Sequence, residues 1–330
     1  MRYAAAFDLI RGLVDSGRLP SAVFGVADVE GTIALDAFGS TGSRTASVDD
    51  RYPLFSITKP LIGIAAARSI ERGLLTPTTP LAAAVPEFGR DRPDAGSREP
   101  VQLRHLVSHT AGIVDSPMDS PRPLRTDLLE QPWEFAAGTA SRYSTLAFEG
   151  VAALIEHATG RRWTEEVEAW AREIGADGLS VDHSDAHPVV DAAEAGLDLV
   201  RFAELQQPGA GLAGRADDLL RLGSELLRIG GGGTGILQPA TLAMMLRPLT
   251  GDIPRLAPYT ADRGQDWGFT WNLRSRAPGL IDRDTYGHGG WAGTEFWVQP
   301  SAGVAWVLLT NRENRDVNLD EIANAVTGAR

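Results

Sequence analysis

The sequence predicts an α+β fold: one antiparallel sheet flanked by helices from both ends of the chain, with an all-α lobe inserted between its strands. Three observations predict it. Strand-like runs open the chain, "SAVFGVAD" and "GTIALDAFG", and return only after residue 265 as "WGFTWNLRS", "EFWVQP" and "GVAWVLLTN". Between about 76 and 225 the chain is helical and loop-rich, with "TLAFEGVAALIEHATG" and "RADDLLRLGSELLRIG" as its clearest amphipathic stretches. Each end also carries a helical run. Segregation of this kind indicates a sheet built from both termini, with helices packed on it.

Taken in order, "MRYAAAFDLIRGLVDSGRLP" repeats with helical period and holds Asp8 and Arg11 inside its apolar run. It reads as an amphipathic helix and not as a signal peptide, which makes a cytoplasmic protein the expectation. "VEG" then separates two β-branched runs, as in a hairpin. Residues 56–73, "SITKPLIGIAAARSIERG", read as a buried helix, with Pro60 tolerated in its first turn and Gly73 as its stop. The loop "DSPMDSPRP" is suited to lining a cleft. "GGGG" at 230–233 lacks the lysine and the strand-to-helix context of a phosphate loop and reads as a plain loop. A last helix is expected in "NLDEIANAVTGA". The division that follows is a sheet subdomain from 1–75 with 226–330 and a helical subdomain from 76–225, with the active site at their junction.

Composition narrows the function. The 330 residues are 43% hydrophobic and 22% charged, as in an ordinary globular protein. A net charge of -12 argues against a nucleic-acid or anionic-membrane partner, since both need clustered positive charge. No apolar run approaches a membrane span. The absence of cysteine removes disulfides, thiolate metal sites and a cysteine nucleophile.

Lys59 is the only lysine among 31 basic residues. Arginine serves as well for a surface charge, but only an ammonium gives up its proton when desolvated. Ser56 lies one helical turn away on the same face, so the two side chains can meet. Serine is a poor nucleophile until a neighbouring base takes its proton, and a buried Lys59 can be that base. Tyr143, in "SRYSTLAFEG" just before a helix beginning near Thr145, is a candidate for relaying a proton to the leaving group. Ser141 and Thr145 are equally good helix caps, so that stretch alone also fits a cap with a packed tyrosine. In "YGHGGWAGTEFWVQP", glycines 287, 289, 290 and 293 let a backbone approach closely. An N–H there could face an oxyanion, as could one at the nucleophile's helix start.

Ser-x-x-Lys on a helix, Tyr-Ser-x before a helix and His-Gly-Gly on a late strand occur together, in this order. In that respect the chain resembles the serine β-lactamase and penicillin-binding-protein superfamily, in its class C-like branch of carboxylesterases, D-amino-acid peptidases and acyltransferases. The segments "LRHLVSHTAGI" and "GAGLAGRADDLLRLG" extend the resemblance over nearly the whole chain. It implies a β-lactamase/transpeptidase-like fold, Ser56 as acylated nucleophile, Lys59 as its base and Tyr143 as general acid/base. It also implies oxyanion N–H groups at Ser56 and Trp291, with His288, Gly289, Gly290 and Thr145 at the substrate. His288 and Gly289 stand where β-lactamases have the lysine and threonine of Lys-Thr-Gly, and Thr145 stands for the asparagine of Tyr-x-Asn. These departures favour an ester or acyl donor of small-molecule size over a penicillin.

The expectation is therefore a cofactor-free serine hydrolase of carboxylic esters, with acyl transfer as the alternative use of the same site, a β-lactamase or D-amino-acid amidase as the next rival, and a non-catalytic binding protein behind these. His105 and His109, four apart on an expected helix, lack the His-Glu-x-x-His pattern and are read as structural, with no metal site. His183 and His187 are read as solvated. Trp133, Trp267, Trp271 and Trp291 are candidates for an acyl pocket, about half of them expected to be core.

Overall fold

The computed structural model describes residues 2–89, 100–277 and 281–329. The chain opens with α1 (Ala4–Asp15) and the hairpin β1 (Ser21–Asp28) and β2 (Gly31–Thr41), followed by the short β3 (Arg44–Thr45) and β4 (Tyr52–Pro53). The buried α2 (Thr58–Glu71) comes next, then α3 (Leu103–Val107), α4 (Leu124–Glu130), α5 (Ala147–Thr159), α6 (Trp163–Glu173) and α7 (Leu199–Leu205). After β5 (Ala213–Gly214) come α8 (Ala216–Gly230), α9 (Pro239–Met245) and the strands β6 (Asp266–Trp267), β7 (Asn272–Leu273), β8 (Tyr286–Gly289), β9 (Glu295–Gln299) and β10 (Val304–Thr310). The chain ends with α10 (Leu319–Thr327). The strands form an eight-stranded sheet in the order β3-β2-β1-β10-β9-β8-β7-β6, antiparallel throughout, so first and last strands meet at its centre.

β1 and β10 are apolar on both faces because both faces are covered. Phe24, Val26, Trp306 and Leu308 point toward α1 and α10. Val23, Val307 and Leu309, displaced by one residue, point into the larger core with α2, α5 and α8. The period of two thus separates two cores across one sheet. α8 lies close on that inner face: a Cβ on its Gly223 would stand 2.4 Å from the Cβ of Ala305 on β10. The expected division at 225/226 falls inside this helix.

Two details position the site. α2 runs through the core, and a 3-10 turn, Phe55–Ile57, leads into it. β4 pairs with β5, and the Leu54 N–H donates to the Leu212 carbonyl at 2.8 Å, so the residues before Ser56 are tied to those after Gly211. The expected strand "WGFTWNLRS" is instead two short strands joined by a turn whose Thr270 takes φ 70°. Among the described residues no helix is long and apolar enough to cross a membrane.

Candidate active site

Ser56 sits at the first turn of the 3-10/α2 run, directly after Phe55, whose φ of 47° is left-handed and costly for a bulky residue. Packing holds Phe55 there: its ring stacks on Phe202 at 5.0 Å and meets Trp291 at 5.2 Å. Ser56 is half-buried and opens into a cleft of about 760 Å³ shared with Tyr143, Thr145, Gly289, Gly290 and Trp291.

Lys59, one turn on, is fully buried. Its Nζ lies 3.0 Å from Ser56 Oγ, 3.2 Å from Thr145 Oγ1 and 2.8 Å from the Gly209 carbonyl. A neutral amine has two N–H donors and one lone pair. The Gly209 carbonyl can only accept, so it takes one N–H; Thr145 accepts the other, and the Ser56 hydroxyl is left to donate to the lone pair. Burial drives the Lys59 pKa down from its ordinary 10.5 to about 7, with the Asp115 carboxylate pulling weakly the other way. The Tyr143 ring lies 4.6 Å from Nζ.

Tyr143 comes from the loop before α5. Neither Ser141 nor Thr145 caps that helix. The Asp115 carboxylate accepts the Thr145 and Leu146 N–H groups at 2.9 and 2.8 Å, and Ser144 Oγ accepts that of Ala147 at 3.2 Å. Asp115 comes from the Pro-rich loop, which does line the cleft. Tyr143 packs at a tilt on His109 at 4.3 Å, with Trp267 at 5.4 Å and Tyr259 at 4.9 Å. Burial raises its pKa well above 10, while Ser56 is close enough to act in the opposite direction. The phenol hydroxyl itself completes no hydrogen bond of standard geometry.

β8 brings the glycine-rich segment against the nucleophile turn. Gly290 leaves no room for a side chain, since a Cβ there would lie 2.4 Å from the Leu54 carbonyl oxygen. The Gly290 N–H donates to Thr294 O at 2.6 Å, and Arg315 Nη1 donates to Trp291 O at 3.2 Å, which fixes the turn that carries Trp291. The Ser56 and Trp291 N–H groups have no acceptor among the hydrogen bonds of the described residues.

Several sequence expectations change. His288, expected at the substrate, does not line the cleft. Its ring is buried behind the wall, donates Nδ1–H to Gly289 O at 2.7 Å and is held neutral, its pKa driven down to about 3 by burial and by Lys59. His105 and His109 do not share a helix face, because α3 ends at Val107 and His109 takes φ 59° beyond it. His105 Nδ1 instead accepts the Gln102 N–H at the start of α3, and His109 Nδ1 accepts that of Ser144 at 3.2 Å. His187 is not solvated; it is buried, stacked on Tyr52 and 2.7 Å from Asp50. His183 is half-buried, its Nε2 2.9 Å from the Gly211 carbonyl. Of the four tryptophans only Trp291 lines the cleft, where Trp297 joins it. Trp267 lies beneath Tyr143, Trp271 packs on Tyr286, and Trp133 packs on Phe88. Asp115, the Gly209 carbonyl and Glu295 went unnoticed in the sequence; none stands in a local pattern that marks it.

A buried lysine against a serine, at the end of strand β8 of an antiparallel sheet packed on helices, defines a class, and the chain belongs to it: the beta-lactamase family, whose model matches residues 6–329. Among curated proteins it is similar to esterase EstB of Burkholderia gladioli, 29% identical over 81% of this chain and 79% of that enzyme. Among solved structures it is similar to EstCE1, described as a hydrolase with promiscuous acyltransferase activity, with a TM-score of 0.81 and 24% identity over 99% of both chains. A penicillin-binding-protein homologue from Caulobacter crescentus superposes with a TM-score of 0.80 at 20% identity, over 100% of this chain and 98% of the other.

Proposed function

We propose that the protein hydrolyses carboxylic esters of small molecules through an acyl-enzyme on Ser56. The observation that carries the reading is the buried Lys59 amine 3.0 Å from Ser56 Oγ, with a pKa near 7. At neutral pH about half of such amines are free bases, and a base with a pKa near the working pH transfers protons most effectively. Ser56 Oγ attacks the ester carbonyl and its proton passes to Lys59 Nζ. The N–H groups of Ser56 and Trp291 receive the oxyanion. Tyr143, kept protonated by its raised pKa, donates its proton to the leaving alcohol and recovers one from the Lys59 ammonium. A water then attacks the acyl-enzyme, giving up its proton by the same route, and the acid leaves Ser56.

The ester substrate is supported by the similarity to an esterase over most of the chain. It is supported further by the neutral, buried His288 and the bare Gly289, which present neither the ammonium nor the hydroxyl suited to a β-lactam carboxylate. The test is the initial rate on p-nitrophenyl butyrate for the wild type and Ser56→Ala. We expect a wild-type rate that vanishes in the variant; equal rates, or none above background, would sink the reading. The described acyltransferase activity of EstCE1 favours one second use of the site: an added alcohol competing with water for the same acyl-enzyme.

A further inference from the structure

We propose that the cleft takes esters carrying a cationic nitrogen, with an ammonium on the acyl or the alcohol side seated against the carboxylate of Glu295. The proposal rests on the ester-hydrolase reading above and adds the substrate class. Glu295 on β9 stands opposite Gly289 on β8. A Cβ at Gly289 would lie 2.8 and 2.9 Å from the two carboxylate oxygens, so the carboxyl fills the place a side chain at 289 would take. From there Glu295 lines the same cleft as Ser56, though the residue is only 2% exposed.

Its hydrogen bonding is incomplete. Oε2 accepts from Trp297 Nε1 at 2.8 Å, and Oε1 has no donor among the described residues. Arg315 spends Nη1 on the carbonyls of Trp291, Arg312 and Glu313, and Arg274 reaches Asp320. Neither guanidinium bonds to Glu295. Burial pushes the carboxyl's pKa up to about 7 in spite of these two arginines, as expected of an acid short of compensating charge. A bound cation supplies that charge.

The rest of the cleft agrees. Its described lining holds more carboxyl groups than guanidiniums, with Asp115, Asp262, Glu313 and Asp320 beside Glu295 against three arginines. Tyr259, Trp291 and Trp297 line it too, and aromatic faces attract a quaternary nitrogen.

Two isosteric pairs separate charge from shape and acyl side from alcohol side. One is butyrylcholine with 3,3-dimethylbutyl butyrate. The other is the p-nitrophenyl esters of 4-(trimethylammonio)butyrate and 5,5-dimethylhexanoate. We expect wild-type kcat/KM to favour the cationic member of one pair by about tenfold or more, the scale of one charged contact, and Glu295→Gln to bring that ratio toward one. A wild-type ratio near one in both pairs, or a preference that survives Glu295→Gln, overturns the proposal while Ser56-dependent hydrolysis of the neutral esters leaves the esterase reading standing. Should no ester be turned over, calorimetric binding of butyrylcholine to Ser56→Ala and to Ser56→Ala/Glu295→Gln decides independently. About tenfold weaker binding in the double variant supports the site; equal affinity, or no binding to either, refutes it.

Discussion

Lys59→Met removes the molecule's only lysine and, with it, a specific pH dependence of folding. The Lys59 pKa falls from 10.5 to about 7 in the folded state. Between those values the unfolded chain binds a proton that the folded chain lacks, so wild-type stability rises with pH across that window. At about 1.4 kcal/mol per pH unit, the burial of Lys59 costs the fold roughly 4 kcal/mol at pH 7 and roughly 2 kcal/mol at pH 9. Methionine removes this penalty but leaves the Gly209 carbonyl without its 2.8 Å donor, a loss that is the same at every pH. The stability of Lys59→Met relative to wild type should therefore fall by about 2 kcal/mol between pH 7 and 9, whatever its value at pH 7. Urea unfolding of both proteins at pH 7, 8 and 9 measures it. A difference that stays flat, or grows with pH, would refute the claim that burial governs this amine.

The remaining predictions concern the rate. Because the free amine is the active form, log kcat/KM should rise with unit slope below about pH 7 and level off above it. In Asp115→Asn, which keeps one of the two acceptor oxygens at the start of α5 but removes the charge that holds the Lys59 pKa up, the midpoint should move to lower pH; an unmoved midpoint in a pH–rate profile contradicts that coupling. Tyr143→Phe should lower kcat on alkyl esters by about 10²–10⁴, the usual size of a lost general acid, and much less on p-nitrophenyl esters, whose leaving group departs without a proton. Equal losses on the two ester types would assign Tyr143 another role.

What was legible in the sequence is what depends on local pattern. The 56–73 helix and its Ser-x-x-Lys spacing are readable because one helical turn fixes the relation of Ser56 to Lys59 before any tertiary structure forms. The sheet built from both ends was readable because strand-like runs lie at the two ends of the chain and helical runs between them. What stayed hidden depends on contacts between distant segments. Asp115 caps α5 from 30 residues away, in the place where Ser141 or Thr145 looked sufficient. His288 faces inward because strand residues alternate sides, so the bare Gly289 opens to the cleft and its neighbour does not. Glu295 reaches the cleft only because β9 sets it opposite that glycine. His187 looked solvated because its loop is polar, and nothing local announces the Tyr52 ring it stacks on.

The protonation states around Ser56 fit one another. Burial disfavours a positive charge at Lys59, His109 and His288 alike, and both histidine pKa values are lowered further by Lys59 itself. The histidines therefore stay neutral through the physiological range, while Lys59 titrates near neutrality, as does Glu295 in the same cleft. When it takes the Ser56 proton, the new ammonium forms among groups already oriented for it: the Gly209 carbonyl, the Thr145 hydroxyl, the faces of Tyr143 and Phe148 and, further off, the Asp115 carboxylate. None of these has to move, so little reorganisation energy opposes the transfer. An arginine at 59 would keep its proton in the same surroundings, which gives a chemical reason for a lysine at the one position where the chain has one.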